Sequence, residues 1–242
     1  MTPDQLAKVP PMVPSVANML NLRSLTWLAG NPGSYKSFLA IDLACTLATG
    51  LKYRSMPVYQ APSLYVSGEG KAGLYGRIQA WEQANKTMAQ GTHWLPEAVP
   101  VTSSEWDLLV DAAVTLGAKF IVLDTQAWMT PGLDENSVSD MGRYVRGLTS
   151  LMEATGACVL TVHHSSKGGE SLRGSSAVHG AADTVVNMER RTHDQEKAVL
   201  VSCMKQKDLD TFDSFYLRPV TMGVSIVLQE CQEPAWWAQS KR

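Results

Sequence analysis

Apolar residues along this chain fall into short, nearly unbroken runs, separated by longer stretches in which they recur at three- and four-residue spacing. SLTWL (24–28), SLYVSGEG (63–70), KFIVLDTQ (119–126) and ACVLTVHH (157–164) are the runs, and each predicts a buried strand. The spaced stretches predict helices. KSFLAIDLACTLATG carries Phe38, Leu39, Ile41, Leu43, Leu47 and Ala48 at helical spacing and stops at Gly50, while KAGLYGRIQAWEQANK sets Leu74, Ile78 and Trp81 on one face. SEWDLLVDAAVTLG and SVSDMGRYVRGLTSLMEATG continue the pattern, and AVPVTS (98–103) is expected as a weaker strand. Strands alternating with helices predict an α/β fold, a mostly parallel central sheet flanked by helices. The last quarter differs: TVVNMER, KAVLVSCMKQ, SFYLRPV and GVSIVLQE are strand-like runs without long helices between them, expected as C-terminal antiparallel strands that extend the sheet.

Composition narrows the class. No Pro/Gly/Ser-rich linker divides the 242 residues, so a single domain over 1–242 is expected, with 1–21 an N-terminal extension free to contact a neighbouring subunit. No apolar run approaches the roughly 20 residues that span a bilayer, and the Pro-rich start lacks a signal pattern, which predicts a cytoplasmic protein without membrane contact. Cys45, Cys158, Cys203 and Cys231 lie far apart with no C-x-x-C pair, so reduced thiols are expected rather than zinc or disulfides. A net charge of -2 excludes a generally basic, nucleic-acid-coating surface; any DNA contact must be local.

The chemistry concentrates where strands end. GNPGSYKS (30–37) nearly matches the phosphate loop G-x-x-x-x-G-K-[ST], with Tyr35 in place of the second glycine. Taken alone it reads either as a nucleotide site or as a turn that ends in Lys-Ser. Its position between a predicted strand and a predicted helix favours the first, because backbone N–H groups at a helix N-terminus grip phosphate. The expected cradle is Gly30, Asn31, Pro32, Gly33, Ser34, Tyr35, Lys36, Ser37 and Phe38, with Lys36 reaching the phosphates and Ser37 a Mg2+ ion. FIVLDT ends in Asp124, from which a second carboxylate can hold that ion. YVSGEG ends in Glu69, a candidate base for an attacking water, and VHHSS ends in His163 and His164. Neighbouring residues on a strand face opposite ways, so one histidine is expected to sense phosphate and the other to pack.

Together GNPGSYKSF, YVSGEG, FIVLDT, GLDENS, VHHSSK and SLRGSSAVHGAADTVV resemble the RecA-core hexameric ATPase and helicase family, in particular RepA-like plasmid helicases and small phage RecA-like recombination proteins. The resemblance covers residues 22 to 210. It implies a RecA-like P-loop core in which Lys36, Ser37 and Asp124 bind Mg-ATP, Glu69 is the general base, and His163 or His164 senses the γ-phosphate. It further implies a homo-oligomer, a hexameric ring, whose sites are completed in trans by a basic residue; Lys205 and Lys207 of MKQK resemble that pair. In such rings the loops after the Asp124 and His164 strands line the channel. Here these loops offer Trp128 as a stacking platform or a packing residue, and Lys167 and Arg173 as contacts to single-stranded DNA or parts of a plain surface loop. The expected function is a DNA-stimulated ATPase of phage or plasmid replication and recombination, helicase-like. The alternative is an ATP-switched recombination mediator or annealing protein without processive unwinding. DENS (134–137) is expected to cap the following helix, and Trp236 and Trp237 either to cover a neighbour or to pack back onto the sheet.

Overall fold

The structure, a computed structural model, describes residue 2 and residues 11–164, 176–207 and 209–239. Its elements follow the apolar pattern closely. After a small hairpin, β1 (Pro14–Val16) and β2 (Leu20–Asn21), come β3 (Ser24–Gly30), α1 (Lys36–Thr49), β4 (Ser63–Ser67), α2 (Lys71–Asn85) and β5 (Thr92–Leu95). Then follow α3 (Glu105–Thr115), β6 (Phe120–Asp124), the single turn α4 (Gln126–Met129), α5 (Val138–Thr155), β7 (Cys158–His164) and the short α6 (Ser176–Ala181). Four long strands, β8 (Thr184–His193), β9 (Glu196–Gln206), β10 (Phe215–Met222) and β11 (Ser225–Cys231), precede α7 (Ala235–Gln239).

Nine strands form one sheet in the order β11-β10-β9-β8-β3-β7-β6-β4-β5. From β8 to β5 every pairing is parallel, whereas β8 to β11 pair antiparallel as consecutive hairpins. The α/β class and the antiparallel extension are thus as the pattern predicts. In the central strands alternate residues serve two cores: Val122, Leu160 and Val162 face α1, while Ile121, Leu123 and Val159 face α3 and α5. Burial on both faces is why those strands read as unbroken apolar runs. Helix α1 is apolar nearly all round. Leu39, Leu43 and Leu47 are at most 2% exposed, and burying each stabilises the fold by roughly 1.5–3 kcal/mol. It ends at Gly50, which takes φ 74° and returns its N–H to the Thr46 carbonyl.

One expectation changes. Residues 98–103 form turns rather than a strand, because Pro100 lacks a ladder donor; the edge strand is the earlier THWL of β5, closed off by Pro96. Residues 14–21 pack on this domain: Val16, Met19 and Leu20 are buried in its core, and Tyr59 donates its N–H to the Ser15 carbonyl. Ser137 caps α5, accepting from the Asp140 N–H, while the Asp140 carboxylate accepts from the Asp134 N–H; DENS is a helix cap as expected. Trp236 and Trp237 pack back onto the sheet. Trp237 is fully buried edge-on against Tyr216, and Trp236 stacks on His193. All four cysteines are unpaired, with Cys203 and Cys231 half-buried. Among the described residues no helix is long and apolar enough to cross a membrane.

Candidate nucleotide site

Strand β3 delivers the chain to a sharp turn at Gly30. A Cβ there would collide with the Met188 carbonyl of β8 and stand 2.7 Å from Ser34 Oγ, so only glycine lets the loop lie this close to the sheet. At the other end of the loop, Tyr35 precedes α1 with φ 68° and ψ 23°. That left-handed conformation is the physical reason the pattern asks for glycine here; a side chain in it costs roughly 1–2 kcal/mol. Tyr35 keeps the glycine conformation, and its half-buried ring packs against the core, edge-on to Phe38 at 5.8 Å. The loop therefore has the shape of a phosphate cradle despite its sequence.

Lys36 is buried and folds over the cradle, its ammonium donating to the Gly30 and Asn31 carbonyls at 2.9 Å each. Burial lowers its pKa to about 8, against the pull of Asp124 and Glu69. Asp124, at the end of β6, is 2% exposed, and its Oδ2 accepts from Tyr65 Oη at 2.6 Å. Burial pushes its carboxyl up, while the Tyr65 and Ser37 hydroxyls hold it back. Asp124 Oδ1 and Ser34 Oγ are buried without hydrogen-bond partners. An unsatisfied carboxylate oxygen beside the Ser37 hydroxyl fits a Mg2+ ion, a hard cation that takes oxygen ligands and keeps several from phosphate and water. Ser37 and Asp124 would hold it, and bound there it would neutralise phosphate charge. Among the described residues no cluster of three acidic, histidine or cysteine side chains offers a separate metal site.

Glu69 lies exposed in the turn after β4. Its Oε2 accepts from Trp128 Nε1 at 3.2 Å, and the stem of Trp128 lies on Gly68 so closely that a Cβ there would collide. The Trp128 backbone N–H donates to the Thr125 carbonyl, and on the same short turn Gln126 Oε1 accepts from Trp27 Nε1 inside the core. The residue expected as a stacking platform thus braces the candidate base, with half its surface exposed. The two histidines separate as the strand period requires. His163 is buried, and His164 reaches the cleft with Nδ1 3.5 Å from Lys36 Nζ. Burial and then Lys36 lower the His164 pKa, so its imidazole is neutral at pH 7. Of the pair, His164 is the one placed to meet a phosphate.

Two arginines that no sequence pattern singles out also reach the cleft. Arg190 of β8 donates to the Gly33 carbonyl at 2.9 Å, and the Arg77 guanidinium of α2 covers the Phe38 ring at 4.7 Å. Both line the same cavity of about 270 Å³ as Lys36, Ser37, Glu69 and His164. Neither sits in a recognisable motif; the only sequence signal is that each follows a site strand or lies on the strand beside it. Lys205 and Lys207 lie elsewhere. Lys205 stands opposite Val185, whereas Gly30 stands opposite Met188, three residues and about 10 Å further along β8. Lys205 donates to the His179 carbonyl and Lys207 pairs with Asp183 at 3.0 Å, so neither contributes to this chain's own cleft. Lys167 and Arg173 fall outside the described residues.

A cradle between strand and helix, a lysine and serine on the helix, and an acidic strand end beside them, at the carboxyl edge of a parallel sheet, define a P-loop ATPase-type domain. The chain belongs to the AAA domain family, which matches residues 2–170. That span takes in the loop at Gly30, Glu69, Asp124 and both histidines. A comparison with curated proteins finds no match.

Proposed function

We propose that this protein is a RecA-like, ring-forming ATPase that hydrolyses Mg-ATP and is stimulated by single-stranded DNA, acting as a helicase-like motor in phage or plasmid replication and recombination. The observation that carries the ATPase reading is the convergence of Lys36, Ser37, Asp124, Glu69 and His164 on one cleft. Lys36 neutralises the β- and γ-phosphates, Glu69 takes a proton from the attacking water, and the neutral His164 hydrogen-bonds the γ-phosphate. The DNA reading is supported by connectivity. The chain leaving His164 runs directly into the segment that holds Lys167 and Arg173, and Trp128 links the loop after β6 to Glu69. Loss of the γ-phosphate at His164 is then transmitted to the DNA-contacting segment.

ATP turnover measured with and without single-stranded DNA tests this reading, with a severalfold rise expected. No stimulation together with no DNA binding removes the motor. Glu69→Gln then separates it from an ATP-switched mediator or annealing protein: a motor loses its function with hydrolysis, whereas a mediator keeps annealing.

A further inference from the structure

A second cavity, of about 260 Å³, adjoins the phosphate cleft, and Phe38 and Arg77 line both. It lies between α1, α2, the segment after α1 and the β10–β11 hairpin. Asp42 faces it, four residues past Phe38 and so about 6 Å further along α1. Asp42 Oδ1 is already saturated, accepting from Trp81 Nε1 at 2.8 Å and Thr46 Oγ1 at 3.4 Å, while Oδ2 receives no hydrogen bond from the described residues. Tyr53, in the same wall, is 4% exposed and its hydroxyl is buried with no partner. Burial holds that phenol protonated, so it is a donor in waiting. Lys52, Arg54, Arg77 and Glu230 complete the polar rim; Arg54 is committed to Glu230 at 2.6 Å and lies over the Phe215 ring. Ile41, Leu217 and Leu228 supply apolar contact.

One open acceptor beside one unpartnered donor, in a cavity of mixed polar and apolar lining that adjoins a phosphate cradle, matches a base that offers an amine next to a ring nitrogen. We propose that this cavity takes the adenine base of the nucleotide, with Asp42 accepting from the exocyclic amine and Tyr53 donating to the adjacent ring nitrogen. The proposal rests on the phosphate-site reading above. Guanine places two donors side by side, and Asp42 has a single free oxygen to receive them, so one buried donor would go unmet and GTP is disfavoured.

The test compares binding of ATP with that of purine riboside triphosphate, which keeps the ring nitrogen and lacks the amine, by calorimetry with Mg2+ on the full chain. Wild type should bind ATP at least tenfold more tightly, and Asp42→Asn, which turns an acceptor into a donor at nearly constant shape, should bind both alike. A wild-type ratio near one, or a ratio unchanged in Asp42→Asn, overturns the assignment. Lys36→Ala reports separately on the cradle: if ATP binding survives it, or wild type binds no ATP at all, the phosphate site is misplaced and the base pocket falls with it. Should Asp42→Asn not fold, 1-deaza-ATP decides. Wild type must prefer ATP over this analogue, and Tyr53→Phe must lose that preference; a preference retained overturns the proposal.

Discussion

Tyr35 shows how a residue can break a motif while keeping its geometry. Its left-handed backbone costs roughly 1–2 kcal/mol, and glycine would remove that strain but add unfolded-state freedom worth about 0.5–1 kcal/mol. Glycine would also lose the ring contact with Phe38. Tyr35→Gly is therefore expected within about 1 kcal/mol of wild type and to bind nucleotide still. Tyr35→Ala, which loses the ring and keeps the strain, should be about 1 kcal/mol less stable than Tyr35→Gly, the reverse of the helix-interior order. Urea denaturation of the three proteins gives the ranking, and Ala above Gly would mean the loop is not left-handed at this residue. Asp42 makes a second residue-scale prediction. Burial pushes its carboxyl up to about 6 from 3.8, with Trp81 and Thr46 pulling it back. The folded chain then holds that proton more tightly than the unfolded chain, so the associated stability is fully present below about pH 4 and lost as pH rises through about 6. Between pH 4 and 7 wild type should lose on the order of 2–3 kcal/mol relative to Asp42→Asn. Parallel unfolding curves for the two proteins across that range would show the carboxyl is not shifted.

The elements carry the site by where they end. Helix α4, a single turn, links Asp124 to the loop beyond, and through Trp128 it sets the carboxylate of Glu69. Trp128→Phe keeps the ring on Gly68 and removes the N–H, so kcat should fall severalfold while ATP affinity stays within about twofold. Steady-state kinetics separates the two, and an equal loss in both would mean Trp128 supports the fold rather than the base. Much of this level was legible in advance. FIVLDT and ACVLTVHH are buried on both faces, as central strands of a covered parallel sheet are, and their apolar runs are continuous for that reason. The elements the pattern does not show have no periodicity to read: THWL of β5 is a four-residue edge strand, and α4 and α6 are too short for a helical face. Arg77 and Arg190 go unmarked in the sequence for another reason, since their place in the cleft is set by helix packing and strand order, which only the folded chain displays. For the same cause the sequence left His163 and His164 equivalent, and the register of β7 separates them.

At the scale of the whole molecule, the parallel half of the sheet builds the cradle and the antiparallel half edges it with Arg190 on one end and Lys205 and Lys207 on the other. The lysines lie away from their own chain's cleft; in the proposed ring they would act on a neighbour, where one subunit's strand end meets the next subunit's loop. Loss of activity in a Lys205→Ala/Lys207→Ala double variant would not establish this, because Lys207 also pairs with Asp183 and Lys205 with the α6 carbonyls. Mixing resolves it. Lys36→Ala has a dead cradle and intact lysines; the double variant has the converse. Each alone should be inactive, whereas an equal, randomly assembled mixture restores complete sites at about a quarter of its interfaces and should recover roughly that share of wild-type ATPase activity. A structural defect in the double variant gives no recovery, because each of its cradles remains distorted whatever its neighbour. No recovery together with full dependence on Arg190 would instead assign the completing cation to the same chain, and ATP turnover per subunit would then be independent of protein concentration.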